Sequence, residues 1–384
     1  MPLIAPPLSI YVHLPWCVRK CPYCDFNSHA APPDLPQARY IDCLLEDLRC
    51  DSSWSDGREV QSIFFGGGTP SLFAPEQIDR FLCGVRRCVA LAADVEVTME
   101  ANPGTIEHGR FAGYRAAGVT RVSLGVQSFD DAQLQRLGRI HSCAQIEQAV
   151  TELRTAGFDN FNLDLMYGLP QQSVAEALRD LKDALALRPT HISHYQLTLE
   201  PGTVFYHRPP PLPDEDTTWA MQTQCQAMLA DNGYRQYEVS AYALPDRQCR
   251  HNLNYWQFGD YLGLGAGAHG KWTDAKAGRI WRTVRCKQPR DYLQTESGAR
   301  IAERTVIPAS ELSFEFMLNA LRLRAGFTVA HFRSTTGLEE EALMPTLVEA
   351  RQRKLLMETQ PGTWKPTELG SRFLNDLQSL FLAN

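Results

Sequence analysis

Cys17-Val18-Arg19-Lys20-Cys21-Pro22-Tyr23-Cys24 is the stretch on which the reading of this chain turns. Three cysteines in the pattern C-x-x-x-C-x-x-C suit one task, holding three irons of a [4Fe–4S] cluster through thiolates. A cube ordinarily takes four thiolates, so this set leaves one iron open to a ligand that is not protein. A zinc site would pair C-x-x-C with a second ligand pair. Here the third cysteine follows directly, and a strand-like run, Ile10-Tyr11-Val12-His13-Leu14-Pro15, comes just before. The plain alternative is a chance grouping of buried cysteines, since the chain has 11. Companion motifs that fall in step with the loop weigh against it.

Working outward, short apolar runs recur at 62–65, 95–100, 121–127, 161–166 and 191–197. Helical stretches fall between them. Ile78, Phe81, Leu82 and Val85 share one face, and Ile146, Val150 and Leu153 share another. A repeat of roughly 30–40 residues is the size of a βα unit. Consecutive units of this kind make a parallel sheet that must curl, so the expected fold class is α/β with a partial (β/α)6 barrel. Chemistry then gathers at the carboxyl ends of the strands. The run Arg208-Pro209-Pro210-Pro211-Leu212-Pro213 ends the barrel. Asp214, Glu215 and Asp216 open a helix through Met228. The expected organisation is a core over 1–235, an irregular connecting region over 236–305, and a small helical, winged-helix-like domain over 306–384.

The chain has 384 residues, enough to bury a large core without staples, and a formal net charge of −6. No basic block stands out, so nucleic acid is disfavoured as the main partner. Met1-Pro2-Leu3-Ile4-Ala5-Pro6-Pro7 lacks the charged and apolar regions of a signal peptide. No run of about 18 apolar residues points to a membrane span. The odd, clustered cysteine count fits a reducing cytoplasm, where the cysteines outside the cluster loop act as small buried hydrophobes.

Several further residues sit where strands end. Gly66-Gly67-Gly68-Thr69-Pro70 follows the second strand and lets the backbone approach a ligand closely. Glu100 ends the third strand, where a carboxylate accepts from hydroxyls or pairs with a cation. Gln127 ends the fourth, and Arg139, in the helix expected next, suits capture of a carboxylate. Asp164 lies inside an otherwise apolar fifth strand, so it needs a partner, either a ligand or a structural group. Farther on, Arg250-His251-Asn252-Leu253-Asn254-Tyr255-Trp256 places an imidazole beside aromatic surface, either packing or an axial haem ligand. Gly263-Leu264-Gly265-Ala266-Gly267-Ala268-His269-Gly270 opens no clear helix after a strand, which excludes a dinucleotide loop and favours closure over the barrel mouth.

Together these motifs resemble the HemN/HemW branch of radical SAM proteins, over nearly the whole chain. The resemblance rests on Tyr11-Val12-His13-Leu14-Pro15-Trp16-Cys17, the glycine loop, Gly125-Val126-Gln127-Ser128-Phe129 and Asp164-Leu165-Met166-Tyr167-Gly168-Leu169-Pro170. It implies Cys17, Cys21 and Cys24 as cluster ligands and S-adenosylmethionine (SAM) on the open iron. Tyr11, Gly67 and Glu100 would surround that SAM. Tyr23, Gly68, Thr69, Gln127, Arg139 and Asp164 would line a second SAM position, as in the oxygen-independent coproporphyrinogen III oxidase of this branch.

Two departures separate the chain from that oxidase: Phe26 stands where the oxidase has a further cysteine, and the oxidase's long amino-terminal extension is absent. His251 to Trp256 resembles the H-N-x-x-Y-W motif of the haem chaperones, whose histidine is implicated in haem binding. The expected function is therefore a haem chaperone, with haem as cargo and apo-haem respiratory proteins as recipients. The expectation includes a cytoplasmic location, a homodimer, and peripheral membrane association through partners. The alternatives are decarboxylation of coproporphyrinogen and radical SAM chemistry on an unrelated substrate.

Overall fold

Alternation along the first strand sets the architecture. Strand β1 (Leu8–Leu14) sends Leu8, Ile10, Val12 and Leu14 to one side, all fully buried, and Ser9, Tyr11 and His13 to the other. The computed structural model of the chain describes residues 2–104 and 109–382. Strands β2 (Val60–Gly67), β3 (Leu91–Ala101), β4 (Arg121–Gln127), β5 (Phe161–Tyr167) and β6 (His191–Gln196) follow β1 in parallel order. Helices α1 (Gln37–Asp51), α2 (Pro75–Cys88), α3 (Phe111–Ala117), α4 (Cys143–Thr155), α5 (Val174–Ala186) and α6 (Glu215–Asp231) cover the apolar side. This is the expected partial barrel, and the six strand-like runs all lie within its strands or at their ends.

The helices start where local chemistry directs them. Pro75 occupies the first turn of α2, Glu76 follows it, and Arg86 and Arg87 close the last turn, so both ends complement the helix dipole. Reciprocal capping boxes open α4 (Ser142 with Gln145) and α5 (Ser173 with Glu176). Asp214 caps α6 by accepting from the Thr217 amide. Ile78, Phe81, Leu82 and Val85 form the buried face of α2, as their spacing requires. Ile146, Val150 and Leu153 do the same for α4.

Residues 236–305 are not irregular. Strands β7 (Arg235–Gln236) and β8 (Ala241–Ala243) continue the sheet antiparallel beyond β6. On the other edge β9 (Asp260–Leu264) pairs parallel with β1, and β10 (His269–Asp274), β11 (Arg279–Arg285) and β12 (Ile301–Val306) continue antiparallel, giving a 12-stranded sheet. Helix α7 (Arg250–Trp256) lies between the two extensions. The strand pattern was obscured because charges point inward here. Lys271 is 2.9 Å from the buried Asp260, and Arg285 is 2.5 Å from Asp51 and 3.2 Å from Asp47. Such charges are tolerated inside because they are paired.

The carboxyl-terminal unit comprises α8 (Leu312–Ala320), α9 (Val329–Thr336), α10 (Met344–Gln352) and an antiparallel sheet of β13 (Phe327–Thr328), β14 (Leu356–Gln360) and β15 (Thr363–Pro366), with β15 central. Its core of Phe316, Phe332, Leu347 and Trp364 also takes in Phe258 and Ile280 from the sheet extension. Each such side chain contributes roughly 1.5–3 kcal/mol on full burial. The unit is thus anchored to the barrel through shared apolar packing. Among the described residues no helix is long and apolar enough to cross a membrane.

Candidate functional site

The cysteine loop begins at the end of β1 and is closed by a two-residue parallel bridge, Trp16–Cys17 with His29–Ala30. Asn27 pins it from within, donating to the Ala266 carbonyl at 3.0 Å and the Lys287 carbonyl at 2.9 Å. The small-residue segment 263–270 therefore closes over the mouth, as expected. Gly265 has φ +101° and no room for a side chain, since a β-carbon would lie 2.3 Å from the His13 carbonyl oxygen. All three cysteines of the loop are free and partly exposed. Burial and neighbouring thiols raise the Cys17 and Cys24 pKa values, so metal binding must displace protons there.

Among the described residues no group of three His, Cys, Asp or Glu side chains is gathered tightly enough for a bare ion. A cube asks for a wider set, because each thiolate takes a different iron, whereas a zinc site draws all its sulfurs to about 2.3 Å from one metal. Three free thiols on one pinned loop fit that wider demand. Cys21 also accepts a contact from Arg139 at 3.7 Å, which ties the loop to the far side of the mouth.

Two cavities flank the glycine loop. The first, about 330 Å³, is lined by Tyr11, His13, Phe26, Gly67, Glu100 and Tyr255, among others. It brings Tyr11, Gly67 and Glu100 together, as the resemblance implies. The Gly67 amide donates to Glu100 at 3.3 Å, and Gly67 has φ +110° with the His13 ring only 2.5 Å from where a β-carbon would stand. Tyr11 Oη donates to His13 Nδ1 at 3.0 Å, while His13 Nε2 donates to the Asn27 carbonyl at 2.9 Å. Burial lowers the His13 pKa, which keeps the ring neutral and this tautomer in place. Burial, with Asp164 nearby, raises Glu100 to about 8. Phe26 is 59% exposed on the rim, so the position has neither a thiol nor any tight packing.

The second cavity, about 240 Å³, is lined by Cys21, Thr69, Asn102, Arg139 and His141, among others. Only Thr69 and Arg139 of the expected second set reach it. Arg139 lies just past a short helix (Asp131–Arg136), not inside one. It donates to the Gly125 carbonyl at 2.6 Å and to the Asn102 side chain. Asn102 in turn donates to Thr69 Oγ1 at 3.1 Å. Gly68 is pressed against the Trp16 backbone and donates its amide to Leu14. Gln127, held at φ +73°, accepts from Tyr195 at 2.8 Å. Asp164 accepts from Asn162 at 2.7 Å and Ser123 at 3.3 Å. Tyr23 packs on Phe205 and is crowded by Cys21 and Arg139. The second set is thus dispersed between cavity wall and barrel interior. Sequence reading missed His13, Asn27, Asn102 and Tyr195. A polar side chain at each strand end or loop turn was the available signal.

His251 is placed quite differently from an open ligand. It is 1% exposed, deep in the barrel against Phe64 at a ring-centroid distance of 5.0 Å. Ser62 Oγ lies 3.0 Å from its Nδ1 and Tyr255 Oη lies 3.1 Å from its Nε2. Glu96 accepts from the backbone amides of Arg250 and His251, so the start of α7 is tied into the barrel wall. Both ring nitrogens are engaged and burial lowers the pKa to about 3. The haem-ligand role expected of His251 does not fit this placement. The imidazole is part of a plug that fills the interior of an incompletely closed barrel.

Comparison with known proteins agrees with the fold. The Radical SAM superfamily profile covers residues 11–184, and the HemN C-terminal domain profile covers 307–373. The chain is 50% identical over 378 residues to "Heme chaperone HemW" of Escherichia coli, covering 98% of this chain and 99% of that protein. The chain belongs to the HemW family of radical SAM proteins. The Haemophilus influenzae HemW is 48% identical over 381 residues, covering 98% of each chain. The E. coli coproporphyrinogen III oxidase (HemN) has the same fold, with a TM-score of 0.82 at 22% identity over 98% of this chain and 90% of that one. Membership of the radical SAM superfamily implies binding of a [4Fe–4S] cluster and SAM.

Proposed function

We propose that this protein is a haem chaperone, which binds haem and delivers it to apo-haem proteins, respiratory enzymes among them. The carrying observation is the near-full-length likeness, at 50% identity, to a protein named as a haem chaperone. Phe26 on the rim supports this reading over the oxidase, since it offers no sulfur to the mouth. In this proposal Cys17, Cys21 and Cys24 hold the cluster. Tyr11, Gly67 and Glu100 receive SAM in the larger mouth cavity. Thr69 and Arg139, in the second cavity, offer a hydroxyl and a cation suited to an anionic ligand. When bound, the cluster and SAM supply one-electron chemistry. The protein's own part is to seat them between the pinned cysteine loop and the glycine loop. A cytoplasmic location and a homodimer belong to the same proposal, the latter to be read by sedimentation of the reconstituted protein.

The test pairs two assays on anaerobically reconstituted protein: a Soret-band titration with haem, and product analysis with coproporphyrinogen, SAM and a reductant. Haem binding without turnover is expected. Repeated turnover to protoporphyrinogen would refute the chaperone reading.

A further inference from the structure

Helix α7 has a second face. His251 and Tyr255 point into the barrel, while Leu253 and Trp256 line a separate cavity of about 570 Å³ between the β7 edge of the sheet and the carboxyl-terminal unit. This is larger than either cavity at the mouth and falls in the size range of small-molecule sites. Its apolar surface includes Leu253, Trp256 and Phe327, and two cations, Arg235 and Arg324, stand on its wall together with His331.

We infer that this cavity is the seat of the iron porphyrin, an inference that rests on the haem-chaperone reading and locates its cargo. Four features point that way. A planar, mostly apolar macrocycle needs aromatic and aliphatic walls, and its two carboxylates need cations. Arg235 is exposed and has no carboxylate partner among the described residues. Among the described residues Arg324 has one carboxylate partner, Glu368 at 3.7 Å, whose side chain is 90% exposed, a pairing easily exchanged for a ligand carboxylate. His331 Nε2 lies 2.8 Å from the Gln257 carbonyl, which can only accept, so Nε2 carries a proton and Nδ1 is the ring nitrogen left for a ligand. A metal-binding imidazole is oriented in this way, with the far nitrogen donating to a carbonyl. Finally, the Trp256 indole lines the cavity while Arg322 stacks over its ring at 4.2 Å from the centroid, so this part of the wall is an aromatic surface held in place. The H-N-x-x-Y-W segment thus serves two places at once. Its histidine and tyrosine plug the barrel, and its tryptophan faces the porphyrin.

The test uses the reconstituted full-length protein titrated with haem and, separately, with metal-free protoporphyrin. The double variant Arg235→Glu/Arg324→Glu is expected to weaken both ligands by about tenfold or more, since two charge-assisted contacts become repulsive. Ala325→Trp, at an exposed position on the cavity wall, is expected to weaken both by steric block. His331→Ala should shift the Soret band and weaken haem while leaving metal-free protoporphyrin unaffected. Thermal unfolding midpoints identify variants that remain folded, and the exposed positions keep at least one arm readable. Parent-like affinity and spectrum in all three would overturn the cavity assignment and leave the chaperone reading standing. A parent protein that binds no haem would overturn both.

Discussion

The cysteine loop and helix α7 each carry a motif built of potential ligand residues, yet the fold treats them in opposite ways. The loop keeps its three thiols free and partly exposed, while its backbone and Asn27 make the contacts that hold it in place. Helix α7 buries its imidazole, engages both ring nitrogens and anchors its first turn on Glu96. A side chain with spare valence at a supported position is prepared for a ligand. One whose valences are already filled is prepared for folding. The difference is one of accounting for hydrogen bonds, not of residue type.

The largest expected effect that tests this contrast is at the loop. Cys21→Ala should abolish cluster reconstitution, read as loss of iron and visible absorption, with little change in the stability of the metal-free chain. Full iron retention would break the comparison on the loop side. Next comes the plug. His251→Ala should cost about 2–4 kcal/mol in denaturant unfolding, through a buried cavity and the unpaired partners Ser62 and Tyr255. Haem affinity of the folded fraction should stay near that of the parent. Loss of haem binding at unchanged stability would instead restore His251 as a ligand.

Gly67→Ala should cost about 1–3 kcal/mol, since the position needs φ +110° and has the His13 ring where a methyl would go. Unchanged unfolding would show that the glycine loop is not held as described. The smallest effect is spread across pH, and its sign differs between the two regions. Glu100 is raised from an ordinary 4.5 to about 8, so its contribution is complete in acid and is lost as pH climbs through that window. His251 is lowered from 6.5 to about 3, so its contribution is complete above 6.5 and is lost as pH falls toward 3. In the metal-free chain Glu100→Gln should flatten the loss of stability as pH rises from about 4.5 to 8 and leave the loss as pH falls toward 3. A single slope removed by neither Glu100→Gln nor His251→Gln would count against both placements.

Much of this was legible along the chain. The cysteine spacing, the glycine loop and the alternation of Leu8, Ile10, Val12 and Leu14 with Ser9, Tyr11 and His13 are local patterns. They determined the barrel, its helices and the end at which ligands gather, because period-2 burial and turn chemistry act over a few residues. The strands of 236–305 were not legible, because Lys271 and Arg285 read as surface charges until Asp260, Asp47 and Asp51 are seen beside them.

Tertiary structure alone decided the meaning of His251. Its partner Ser62 is 189 residues away in sequence, and its neighbour Phe64 lies on the same strand as Ser62. Nothing within the motif states whether its imidazole will meet a metal or a serine. That depends on which faces of a seven-residue helix are turned toward the barrel and toward the carboxyl-terminal unit. Sequence determined which groups this protein carries and where each strand would present them. Only the folded sheet, by burying some of those groups against distant partners and leaving others open, decided which of them remain free to bind.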